Sequence, residues 1–93
     1  MTKQTKIRPI VRAAFKCDDL DYQFSRIDVE DGLLDGNNVV ADVNAKYSDA
    51  YILGEAEHRL DICNDPCNQD DPYYQRDARQ LRTFLKRFNK AAA

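Results

Sequence analysis

One histidine and three cysteines are the residues of this chain best suited to metal ligation or nucleophilic chemistry. His58, Cys63 and Cys67 stand in an H-x4-C-x3-C spacing, with Cys17 far upstream. Zinc signatures repeat closely spaced Cys or His pairs, and this run is not one of them. Cys63 falls on an apolar helical stripe while His58 projects towards a polar side, so one regular helix points them apart. A free cysteine ordinarily packs as a small hydrophobe. No metal and no cofactor is expected.

Carboxylates are the next candidates. Neither DGLLDGNN nor NDPCNQDD has the ligand order and trailing Glu of an EF-hand loop. Catalytic motifs are missing too: no G-x-S-x-G, H-E-x-x-H, phosphate-binding loop or G-x-G-x-x-G run occurs. A carboxylate pair drawn from sixteen Asp and Glu carries no signal of its own. A non-enzyme is expected, with no catalytic residues.

Charge order says more. Residues 1–17 hold Lys3, Lys6, Arg8, Arg12 and Lys16 and no acid. Residues 18–71 hold fifteen acids against Arg26, Lys46 and Arg59. Residues 72–93 hold six cations against Asp77 alone. A formal net charge of −2 therefore conceals strong local fields, which speak to partners rather than to fold. Arg76, Arg79, Arg82, Lys86 and Arg87 form a candidate basic face, with Arg8 and Arg12 as possible additions. Arg forks suit phosphate or carboxylate, although cations near a helix C-terminus are also ordinary. Asp18, Asp19, Asp21, Asp28, Glu30 and Asp31 form a candidate acidic face for a basic protein partner. Asp is equally common in turns and on protected sheet edges.

These residues need elements to hold them. Ile7, Val11, Ala13, Phe15 and Cys17 alternate with Arg8, Arg12 and Lys16, which reads as an edge strand carrying Pro9. The rival, a helix from Pro9, sets Asp18 and Asp21 among Val11 and Ala14. Leu20, Tyr22 and Phe24 alternate and then shift phase to Ile27 and Val29, as at a bulge. Asp31-Gly32, Asp35-Gly36, Asn37 and Asn38 read as a tight turn. Val39, Ala41, Val43, Ala45 and Tyr47 alternate again, completing a hairpin.

From Ser48 the period becomes helical. Ile52, Leu53, Ala56, Leu60 and Cys63 share a face, and Glu55 pairs with Arg59 outside it. Ser48 or Asp49 caps this helix, and Asn64-Asp65-Pro66 ends it. A second helix starts near Pro72, capped by Asp70 or Asp71. Tyr73, Leu81, Phe84, Leu85 and Phe88 form its apolar face.

The expectation is one α+β domain over 1–93: a small three-stranded antiparallel sheet followed by two amphipathic helices packed on one face. Ninety-three residues leave no room for a second core. No run approaches the ~20 apolar residues of a membrane span. An odd cysteine count and the lack of a clean leader point to the cytoplasm. The expected role is a binding protein (adaptor, regulator or inhibitor) docking on another protein, as phage-encoded inhibitors of host defence do by analogy of size. The alternative is a nucleic-acid-binding regulator using the Arg-rich last helix. Homodimerisation through the open strand edge is a further possibility, and no membrane partner is expected.

Overall fold

The computed structural model describes residues 6–32 and 38–92. These residues form five α-helices: α1 Pro9–Ala14, α2 Asp18–Glu30, α3 Val39–Lys46, α4 Asp49–Cys63 and α5 Pro72–Ala92, with a 3-10 turn at Pro66–Asn68 between the last two. Among the described residues there is no strand, so the α+β expectation fails and the fold is all-helical.

Each expected strand is a helix for an identifiable reason. At 7–17 the residues that bury completely are Ile10, Val11, Ala14 and Cys17, an i, i+1, i+4, i+7 set. Pro9 takes the first helical position, where its missing N–H costs nothing. The objection to this helix was that it carried Asp18 and Asp21 inward. The chain removes the conflict by ending α1 at Ala14, where the N–H groups of Lys16 and Cys17 close onto Ala13 and Ala14 at 3.2 and 3.1 Å. A new helix then begins at Asp18.

Three acids, Asp18, Asp19 and Asp21, crowd the first turn of α2, where the helix dipole favours them. Leu20, Phe24 and Asp28 bury at i, i+4 and i+8, so the supposed bulge was an ordinary helical step. Gly32, with φ +66°, lies just past the Asp31 cap, and its N–H meets the Val29 carbonyl at 3.1 Å. Glycine supplies that left-handed conformation at little steric cost. The Asp-Gly pair is a helix stop rather than a hairpin turn. The expected turn residues Asp35, Gly36 and Asn37 lie outside the described residues.

Helix α3 is the least favoured by propensity, with three valines in eight residues. Packing overrides this: Val43 is wholly buried and Val39 and Val40 are partly buried against the core. Asn44, 8 % exposed, locks α3 to the start of α1. Its side chain accepts from the Arg8 N–H at 2.8 Å and donates to the Lys6 carbonyl at 3.2 Å. The Arg8 guanidinium donates to the Asn44 carbonyl at 3.1 Å, to the Tyr47 carbonyl, and to Asp49.

The last two helices stand where the sequence puts them. Ser48 caps α4, accepting from the Tyr51 N–H at 3.2 Å, and Asp71 caps α5, accepting from Tyr73 N–H at 2.9 Å. They make the most extensive helix–helix contact, and α1 and α2 also pack on α5. Ile10, Val11, Ala14, Leu20, Phe24, Val43, Ile52, Ala56, Ala78, Leu81 and Phe84 form the shared core. Tyr73, expected on the apolar face of α5, is instead 72 % exposed, and Tyr74 and Ala78 start the inward stripe.

Candidate polyanion-binding surface

On α5 the apolar stripe sinks into the core, which turns Arg79, Arg82, Thr83, Lys86, Arg87 and Lys90 to solvent. Arg76 is exposed as well but lies 3.6 Å from Asp77, its neighbour in sequence. Among the described residues none of Arg79, Arg82, Lys86, Arg87 or Lys90 enters an ion pair. The basic face is not neutralised from within.

Helix α1 adds to it. The end of α1 packs beside α5, and a groove between them is lined by Ala13, Lys16, Cys17, Arg79, Gln80, Thr83, Phe84 and Arg87, with the exposed Asp18 carboxylate accepting from the Gln80 amide at 3.4 Å. Lys16, in the turn after α1, thus shares a trough with Arg79 and Arg87. Arg8 does not join them, because its donors are taken by α3 and α4. On the other flank of α5 a second groove is lined by Asn64, Gln69, Gln75, Arg79 and Arg82. The two grooves hold about 210 and 280 Å³. Both fall below the ~300–1,000 Å³ of small-molecule pockets.

The expected acidic face comes apart. Asp19, 8 % exposed, takes both oxygens inward to Arg59, whose Nε and Nη2 donate at 2.9 and 3.0 Å. Arg59 therefore serves Asp19 rather than Glu55, which accepts from Gln23 at 2.7 Å. Asp28, 1 % exposed, accepts from the Tyr47 hydroxyl at 2.8 Å, with Lys46 Nζ at 3.9 Å. Burial first, then that bond, pushes the Tyr47 hydroxyl well above its ordinary range. Asp21 is half-buried beside the Ser25 hydroxyl. Asp18, Glu30 and Asp31 remain exposed, Asp18 tied through its N–H to Gln80 and Glu30 to Arg26.

The metal candidates are scattered. Cys17 and Cys63 are buried, Cys67 and His58 are exposed, and no group of three or more His, Cys, Asp or Glu that could hold a metal occurs among the described residues. Burial pushes the Cys17 and Cys63 thiols up, away from the reactive thiolate.

Sequence reasoning missed Asp77. It sits inside the basic block yet faces inward, and its Oδ1 has no hydrogen-bond partner among the described residues. Burial, then the charge of Asp19, raises its pKa above the ordinary 3.8, while Arg76 opposes the shift. A carboxyl whose folded pKa is raised destabilises the fold when ionised. The penalty is complete above the folded pKa and gone below 3.8. Asp77→Asn is accordingly expected to raise the urea midpoint at neutral pH, with the advantage closing as pH falls towards that value. A midpoint unchanged or lowered at neutral pH contradicts the burial assignment.

Among the described residues no helix is long and apolar enough to cross a membrane. Compared with known protein families, curated proteins and solved structures, the chain matches none of them.

Proposed function

We propose that the protein is a small non-enzymatic nucleic-acid-binding regulator, whose contact surface is α5 with the end of α1. The observation that carries this reading is the trough that Lys16, from the turn after α1, lines together with Arg79 and Arg87 of α5, with no acid in an ion pair with any of them among the described residues. Cations drawn from separate elements onto one surface are the electrostatic footprint of a phosphate ligand. A purely solvated outer face needs no such convergence. The unbridged cysteines Cys17, Cys63 and Cys67 accord with a reducing compartment, and the reading places the protein in the cytoplasm.

The test is binding to labelled nucleic acid followed by fluorescence anisotropy over a salt series. Five cations (Lys16, Arg79, Arg82, Lys86 and Arg87) engaging phosphate give a slope of log affinity against log salt of about −4. Combining Lys16→Glu with Arg79→Glu is expected to weaken binding at least about tenfold at fixed salt, because each reversal also repels phosphate. A flat salt profile, or binding indifferent to both reversals, removes the proposal.

One observation favours a second reading, a protein partner on α2. Tyr22 and Val29, seven residues apart, are 66 % and 65 % exposed, with Glu30 and Asp31 nearby. Nuclease-resistant association that is lost on Tyr22→Asp and kept in Arg79→Glu supports it over the first.

A further inference from the structure

We infer that the nucleic acid is duplex DNA, with α5 laid into the major groove and the Lys16 turn after α1 set against the phosphates of one groove wall. The inference rests on the nucleic-acid reading above and narrows it by shape and by surface chemistry. Helix α5 runs 21 residues without interruption, roughly 30 Å at 1.5 Å per residue. Troughs border it on both flanks, one from Lys16 to Arg87 and the other from Asn64 to Arg82, and Arg79 belongs to both. A helix with a trough on each side stands out as a ridge.

That ridge has the width of a helix, about 10–12 Å, and the B-form major groove is about 12 Å wide. The major groove of A-form RNA is too deep and narrow to admit it.

Composition separates duplex from single strand. Binding of unpaired bases relies on aromatic side chains as stacking platforms. From 75 to 90 the exposed side of α5 presents Gln75, Arg76, Arg79, Arg82, Thr83, Lys86, Arg87, Asn89 and Lys90 and no aromatic ring. Phe84 and Phe88 face the core, where their rings stack at 6.5 Å. What remains is cations for phosphate and guanine, with amides able to pair adenine edges. Lys16, in the turn that follows α1 and beside the ridge, is placed to meet backbone phosphates rather than bases.

The experiment compares duplex DNA, single-stranded DNA and duplex RNA of one length and sequence, by anisotropy at a single salt concentration. Duplex DNA is expected to bind at least about tenfold more tightly than either of the others. Repeated over a salt series on duplex DNA, the measurement is expected to show a slope reduced by about 1 in each of Arg82→Ala and Lys86→Ala, whereas Arg26→Ala on α2 leaves it unchanged. All three positions are exposed, and thermal unfolding of each variant confirms that the fold is intact. Equal or tighter binding of single strands overturns the inference, as does equal binding of duplex RNA, while both leave nucleic-acid binding standing. Failure of all three to bind removes the proposed function itself.

Discussion

Arg59→Ala is expected to lower the unfolding free energy by about 3–5 kcal/mol, measured by urea denaturation at neutral pH. Asp19 is 8 % exposed, and both of its oxygens lie against the Arg59 fork at 2.9 and 3.0 Å. Without the guanidinium a buried carboxylate is left uncompensated, and Asp77 lies close enough for the two charges to repel. A domain of this size holds about 5–14 kcal/mol in total, so the loss removes a large share. Arg59→Lys restores charge without the planar fork and falls between. Joint replacement of Asp19 by Asn and Arg59 by Met removes the charge together with its partner, and recovers most of the deficit. A loss for Arg59→Ala below about 1 kcal/mol places the pair among surface bridges and contradicts its internal role.

Phe24→Ala is expected to cost about 3–5 kcal/mol, towards the upper end. The ring is 1 % exposed, and the rings of Phe15, Tyr47 and Tyr51 surround it at centroid distances of 6.3, 5.3 and 6.5 Å. Collapse around the missing ring is hindered. Tyr47 is held by its hydrogen bond to Asp28, and Tyr51 stacks on Tyr47 at 4.7 Å. The cavity also opens beside Asp28, whose second oxygen already lacks a partner among the described residues. Phe24→Leu leaves a smaller void and loses less. Tyr73→Ala, at a ring 72 % exposed, is the control and stays within about 0.5 kcal/mol. Equal losses at Phe24 and Tyr73 refute the assignment of the core.

Only part of this architecture was legible in the residues. Helices α4 and α5 announce themselves because they are 15 and 21 residues long and begin at Ser48 and Asp71 caps, and α5 also carries a sustained 3.6 period. Helices α1 and α3 are 6 and 8 residues long, too short to show two full repeats of a stripe. In that length a helical i, i+4 pair such as Ala41 and Ala45 is also consistent with a strand's i, i+2 alternation. Helix α2 did carry a legible sign, the three acids of its first turn, whose dipole preference outweighs the alternation after Leu20.

The site divides in the same way. The cations of α5 oppose its apolar stripe within one element, so local spacing suffices to find them. Lys16 joins them only because α1 packs against α5, which is a tertiary fact. The inward turn of Asp19 and Asp28 depends on partners 40 and 19 residues away, Arg59 and Tyr47. Once 18–30 is read as a helix, the i, i+4, i+8 register of Leu20, Phe24 and Asp28 marks Asp28 as inward, whereas Asp19 has no such sign. Asp77 differs: it stands four residues before Leu81 and seven before Phe84, on the apolar stripe of α5, so its inward position is legible although Arg76 and Arg79 beside it point outward.

On the proposed function, the cations of the trough shared by α1 and α5 would turn the molecule during its approach to the ligand. Its net charge of −2 repels a polyphosphate as a whole, while the flank bearing Lys16, Arg79 and Arg87 is drawn in. Such a body experiences torque before it touches, and it rotates its cationic flank forward once inside the ~10 Å reach of unscreened charge at 0.1 M salt. Approaches led by Glu30 or Asp31 are turned away. If the proposed function holds, orientation is selected during the encounter rather than after it.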